Sequence, residues 1–308
     1  PAAILEAYLS GEATGGALAD ILFGEVSPSG KLAETFPKRL HDTPAFLHYP
    51  GTRSRVEYRE GVFVGYRYYD SVDREPLFPF GHGLSYTTFD YSDLRVSRKR
   101  FRSDESVDVY VTITNAGAMR AREIVQLYVG SDDASVERPV QELKGFTAVE
   151  LEPRESRTVT FTLPPRAFAY WSDQLDRWFV EAGRYQLRVG ASSRDIRLTG
   201  SVEIRSRERS KPVYDLNSTL GEIAQTTIGR LVYNRIKKEW ASSPGAGDGN
   251  EIQSLMVERM MDELPVRAAV YLSGGRFPRE TAELVLDVIN GRKSKLALVR
   301  LLGGVGTT

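Results

Sequence analysis

The chain has 308 residues, 41% of them hydrophobic, with 41 Lys plus Arg balanced by 41 Asp plus Glu. That balance gives no global attraction to nucleic acid or to an acidic membrane surface. The absence of cysteine excludes disulfides and thiolate metal sites, and no apolar run approaches the ~20 residues that span a bilayer.

The length suggests roughly two domains. The opening PAAILEAYLSGEA has no starting Met, no basic region and no long apolar region, so it reads as a fragment start rather than a signal peptide. Over residues 2–9, Ile4, Leu5, Tyr8 and Leu9 fall at helical spacing and predict a short helix that Gly11 stops. GALADILF, residues 16–23, predicts a second helix, with Gly24 where a left-handed residue ends it cheaply. VSPSGKLAETFP then reads as a turn and a short strand ended by Pro37. Helix, turn and strand in quick succession are expected of the closing units of an α/β layered domain, over residues 1–90.

The stretch LFPFGHGLSYTTFDYS, residues 77–92, packs aromatics, prolines and glycines between unlike neighbours. From 91 to 205 the period becomes two, in ESVDVYVTITNAG, EIVQLYVGS, QELKGFTAVEL, RTVTFTLP, RWFVEAGRYQLRVGAS and RDIRLTGSVEI. About seven short strands with turn residues between them predict a β-sandwich of immunoglobulin or fibronectin type III kind. The lack of a cysteine pair favours the latter. Residues 206–308 read as a helical extension after the linker SRERSKP. Its segments are STLGEIAQTTIGRLVYNRIKKEW, EIQSLMVERMMDEL, PRETAELVLDVIN and KSKLALVRLL, with SSPGAGDGN as a loop and Gly291 as a stop. The extension is expected to be too short and too broken for a core of its own. The apolar face of residues 219–236 should then dock elsewhere.

His82, between two glycines, has no carboxylate near it in sequence to make it a general base, and the favoured reading is a structural turn at a seam between domains. In VEYREGVFVGYRYYD, Glu57, Tyr58 and Glu60 among arginines and tyrosines suit a sugar, whose ring faces stack and whose hydroxyls take charged hydrogen bonds. If that segment is a strand, residues three apart face opposite ways, so Glu57 and Glu60 make a poor catalytic pair. SGEATGG lacks the Lys and Ser/Thr of a phosphate loop. The three histidines, His41, His48 and His82, form no metal-ligand motif. Trp171 and Trp178 suit either sugar stacking or, more often on a sandwich, core and edge packing.

SGEATGGALADILFGEVSPSGKLAETFP, VEYREGVFVGYRYYD and LFPFGHGLSYTTFDYSDL resemble the closing part of the α/β sandwich domain of glycoside hydrolase family 3. ELKGFTAVELEPRES and AFAYWS resemble that family's fibronectin type III-like domain, and the helical tail resembles an extension on some bacterial members. The combination is most like bacterial β-glucosidases. The resemblance implies a retaining glycosidase acting on terminal β-glucosyl residues, with an Asp nucleophile on a barrel and a Glu acid/base upstream of these residues. No position here matches either motif, so no catalytic residue is assigned in this chain. Glu57, Tyr58 and Glu60 are carried only as substrate-binding rim residues. No cofactor or metal is implied. The partners implied are a β-glucoside or oligosaccharide substrate and the barrel portion, with homo-oligomerisation left open and neither nucleic acid nor membrane expected. Xylosidase, arabinosidase or N-acetylglucosaminidase activity, or a non-catalytic carbohydrate-binding or scaffolding module, are the alternatives. A bacterial, cytoplasmic protein is slightly favoured.

Overall fold

The computed structural model describes residues 2–52, 54–206, 213–241, 251–294 and 296. They fall into two compact units, residues 1–210 and 211–308.

In the first unit, helix α1 (Thr14–Leu22) ends at a glycine, Gly24, with φ of 79°. Only a residue without Cβ enters that region without cost, so this helix follows the sequence reading. Residues 2–9, in contrast, are not helical. Eight residues are too few to hold a helix without packing, and here Ile4, Leu5, Tyr8 and Leu9 are all exposed. The strand expected before Pro37 shrinks to one bridge, Phe36 opposite Phe78. The YREG segment is not a strand but a run of turns leading into helix α2 (Tyr66–Ser71). The strand-based argument that opposed Glu57 to Glu60 therefore falls away.

Among the described residues ten strands follow: β1 (Phe89–Val96), β2 (Arg100–Arg102), β3 (Val107–Asn115), β4 (Ala121–Ser131), β5 (Glu142–Leu151), β6 (Ser156–Leu163), β7 (Tyr170–Ser172), β8 (Arg177–Phe179), β9 (Gly183–Gly190) and β10 (Ile196–Arg205). They make a three-stranded sheet β1-β3-β6, a five-stranded sheet β2-β10-β9-β4-β5 and a two-stranded ribbon β7-β8. Strict alternation on β3 sends Val107, Val109, Val111 and Ile113 into the core, where they meet Val125, Leu127 and Val129 of β4 and Leu187 and Val189 of β9. Each such side chain contributes about 1.5–3 kcal/mol by leaving water. Strand β4 is buried on both faces, for Gln126 and Tyr128 are also covered. Their cover comes from the first 90 residues.

The second unit holds helices α3 (Leu220–Ala224), α4 (Thr227–Ala241), α5 (Glu251–Asp262), α6 (Val266–Leu272) and α7 (Arg279–Ile289). The helical segment expected over residues 218–240 is broken in two. Thr219 and Glu222 form a reciprocal cap on α3, and Thr226 Oγ1 accepts from the Gly229 amide at 2.9 Å to start α4. Gly229 allows the two helices to close: a Cβ there would lie 1.8 Å from the Ile223 carbonyl.

The expectation that this part lacks a core is overturned. Leu220, Ile223, Tyr233, Ile236, Met261, Val266, Ala282 and Leu286 form one buried cluster. The face of residues 219–236 expected to dock elsewhere is spent inside it through Leu220, Ile223, Tyr233 and Ile236, while Leu231 is exposed. Tyr233 donates to Asp262 at 2.7 Å, and Asn290 exchanges two hydrogen bonds with the backbone of Tyr214. Residues 242–250, 207–212 and most of KSKLALVRLL lie outside the described residues.

Candidate functional site: the seam and the rim

The stretch 77–91 crosses into the sandwich through contacts that begin with its aromatics. Phe80 stacks on Tyr66 with centroids 4.6 Å apart, and Tyr66 meets the ring of Tyr128 edge-on at 5.9 Å. The hydroxyl of Tyr66 accepts the Leu143 amide of β5 at 2.8 Å. Gln126 donates to the carbonyls of Gly81 (3.1 Å) and Ala191 (2.7 Å), and its oxygen accepts from the Tyr128 hydroxyl at 2.6 Å. A buried amide with all these partners fixes one relative position, because losing any of them strands a desolvated polar group.

Charges complete the seam. Lys31 bonds the Gly83 carbonyl at 2.9 Å and lies 3.2 Å from the buried carboxylate of Glu123. Asp70, whose side chain is only 6% exposed, meets Arg194 at 2.7 Å and accepts from Gln141 at 2.9 Å. Burial pushes its carboxyl up, and Gln141 and Arg194 pull only part of the way back. Glu142 is ringed by Arg67, Arg138 and Lys144 at 3.2–3.4 Å. Burial opposes its ionisation, but the three cations outweigh burial and hold its carboxyl below the usual range. Lys144 is itself pushed down, chiefly by burial, with Glu142 opposing and Arg138 and Arg67 adding smaller pushes in the direction of burial.

His82 stacks on Phe78 (5.4 Å, 20°), donates its amide to Pro79 and accepts from the Leu32 amide through its carbonyl. Burial, then Lys31, keep its imidazole below the ordinary range, with Asp195 opposing. Those contacts suit a seam rather than a base.

The rim residues lie apart from this network. Glu57 is held by Arg55 at 3.0 Å and Arg59 at 2.6 Å, and Tyr58 is 82% exposed. Glu60 has one carboxylate oxygen shielded from solvent and without a hydrogen-bond partner. Trp171 and Trp178 are half-exposed and face each other across the β7-β8 ribbon, so of the two packing positions expected they take the edge and not the core. Among the described residues no three His, Cys, Asp or Glu side chains gather as a metal requires, and no helix is long and apolar enough to cross a membrane. Sequence reasoning missed Asp70, Glu123, Gln126, Gln141 and Arg194. Buried polar residues on apolar strands were the available signal for Glu123 and Gln126.

Comparison with known proteins agrees with this architecture. Residues 1–86 match the glycosyl hydrolase family 3 C-terminal domain and residues 123–193 the fibronectin type III-like domain. The chain belongs to glycoside hydrolase family 3, as its C-terminal domain with the sandwich attached. It is 47% identical over 287 residues to thermostable beta-glucosidase B of Acetivibrio thermocellus, covering 93% of this chain and 38% of that protein. It is 40% identical to an exo-alpha-(1->6)-L-arabinopyranosidase of Bifidobacterium longum, over 92% of this chain and 36% of that one. The crystal structure of the Bifidobacterium adolescentis beta-glucosidase superposes with a TM-score of 0.63 at 46% identity, covering 71% of this chain and 32% of that one. The chain thus spans between 23% and 38% of the length of the curated relatives it matches.

Proposed function

We propose that this chain is the C-terminal portion of a retaining, exo-acting β-glycosidase, in the first instance a β-glucosidase. Its catalytic carboxylates would lie in a part of the protein that the chain does not contain. The observation that carries this is the 47% identity to a beta-glucosidase, which at 287 residues runs from the α/β portion through the sandwich and into the helical unit. A retaining enzyme needs two carboxylates about 5 Å apart, one as nucleophile and one as acid and then base. Glu57 and Glu60 do not supply them: Glu57 is neutralised by two arginines, and neither sits in a context that matches the family's catalytic motifs. Glu57, Tyr58 and Glu60 are proposed as rim residues that meet the sugar or the barrel portion. The division of the chain at residues 90 and 205 is part of the same reading. So is a bacterial source, because the matched relatives that extend into the helical unit come from Acetivibrio and Bifidobacterium, whereas fungal ones cover 61–66% of the chain.

A second reading rests on the arabinopyranosidases of Bifidobacterium, 41% and 40% identical over 88% and 92% of the chain. The deciding experiment assays the longer protein that contains this chain on para-nitrophenyl β-D-glucoside and α-L-arabinopyranoside side by side. The β-glucoside is expected to have the higher kcat/KM. Preference for the arabinopyranoside moves the assignment to the second reading, and hydrolysis of neither overturns both.

A further inference from the structure

We propose that helix α1 and residues 5–13 form a docking face for the part of the longer protein that this chain does not contain. The segment it fits carries large aliphatic side chains flanked by a lysine or arginine. The proposal rests on the reading above only in taking the chain as a portion of a longer family member, of which it covers 38% in the case of the Acetivibrio relative.

Among the described residues before 87, one large hydrophobic side chain, Tyr69, is buried, and nineteen are exposed. Over residues 87–206 only six are exposed. The sandwich has therefore closed its core, whereas the α/β portion has not. Apolar surface gathered in this way marks an interaction site rather than a solvated face. Part of it is a groove of about 590 Å³ formed by residues 5–13 and α1, with Leu5, Leu18 and Ile21 in its lining. Ala13 and Ala17 line it too, and such small residues let a large side chain come close.

The face is held in shape although uncovered. The Tyr86 hydroxyl donates to the Ile21 carbonyl at 2.8 Å, and the amides of Glu25 and Val26 both donate to the carbonyl of Asp20. A face ordered beforehand loses little entropy on docking.

The lining also chooses the occupant. Ser10 Oγ donates to the Ala7 carbonyl at 2.8 Å and Thr14 Oγ1 to that of Gly11. With these hydroxyls spent, the groove suits aliphatic side chains better than a sugar. Glu6 and Glu12 border it, both exposed, and no ion pair among the described residues reaches either. A second copy docked about a two-fold axis sets the same patch against itself and brings these carboxylates together. A basic residue of the remaining portion answers them instead.

Hydrogen exchange of the pure chain beside the longer protein tests this. Amides of residues 14–22 are expected to exchange about tenfold more slowly in the longer protein, while β3 and β4 exchange alike in both. Ala17→Arg gives a second readout. Ala17 is exposed in the chain, so the chain should keep its melting temperature, whereas the longer protein should melt lower or fail to fold. Equal exchange of residues 14–22 in the two proteins would overturn the proposal, as would an Ala17→Arg change that lowers both or neither. Protection in the pure chain that rises with its concentration would also overturn it and give the face to a second copy. Hydrolysis is not read, so failure here leaves the glycosidase reading to its own assay.

Discussion

Arg194 Nε donates to Asp70 Oδ1 at 2.7 Å across 124 residues of sequence. The same guanidinium donates through Nη2 to the carbonyls of Tyr69 and Arg74 at 2.9 and 3.1 Å. One side chain from the sandwich thereby fastens the end of helix α2. Removing it strands a carboxylate that burial already disfavours as an ion. Arg194→Ala should therefore cost about 3 kcal/mol, while Asp70→Asn, which keeps an acceptor for Gln141, should cost less. Chemical denaturation of the two variants checks this, and a larger loss in Asp70→Asn would contradict it.

Acid should loosen the same seam through His82. Burial and Lys31 lower its folded value below the ordinary 6.5, so the folded state prefers the neutral ring. Its contribution to stability is fully present above 6.5 and is lost as the pH falls through the lower folded value. His82→Phe keeps a ring to stack on Phe78 and removes the titration. Thermal melts between neutral and mildly acid pH should fall less steeply for the variant. Equal slopes would mean that His82 does not titrate with folding.

Gly81 has a φ of 80°, and a Cβ there would lie 2.1 Å from Gln126 Oε1. Gly81→Ala thus combines an unfavourable backbone conformation with a displaced buried amide that has three hydrogen bonds to lose. The expected loss is roughly 2–4 kcal/mol, together with faster hydrogen exchange at residues 80–82 and 191–193. A variant as stable as the parent would show that the amide is free to move.

How far the sequence spoke depended on the range of the interactions. β3 was legible because every second residue from Val107 to Ile113 is apolar, and α1 because Gly24 follows an apolar run. Both are local signals. The seam was legible as a place, from its aromatics, but not as a mechanism, for Asp70, Gln141 and Arg194 look like ordinary surface residues until the fold gathers them. Residues 2–9 carry helical spacing but find nothing to pack on. The core of the helical unit is hidden for the opposite reason: Leu220 and Ile223 close on Val266, Ala282 and Leu286, contacts that no single segment reveals, and α6 itself is only seven residues long. The site stayed dim because neither catalytic motif occurs in this chain. What the sequence offered instead was the tyrosine- and arginine-rich rim.

The helical unit gives a fourth test. Leu220 is fully buried in its cluster, so Leu220→Ala should cost 2–5 kcal/mol, roughly, through lost burial and the cavity left behind. Hydrogen exchange should speed up across residues 213–289 and stay slow at β3 and β4. Equal loss of protection in the sandwich would mean that the two units unfold as one.

The central claim is that the chemistry lies outside this chain, and the most direct measurement is hydrolysis of para-nitrophenyl β-D-glucoside by the pure chain beside the longer protein that contains it. The retaining route uses one carboxylate pair for both of its steps, and no such pair is assigned here. The chain alone should release no nitrophenol above background, while the longer protein turns over. Turnover by the pure chain that disappears in Glu57→Gln or Glu60→Gln would contradict the account and move the chemistry into VEYREG.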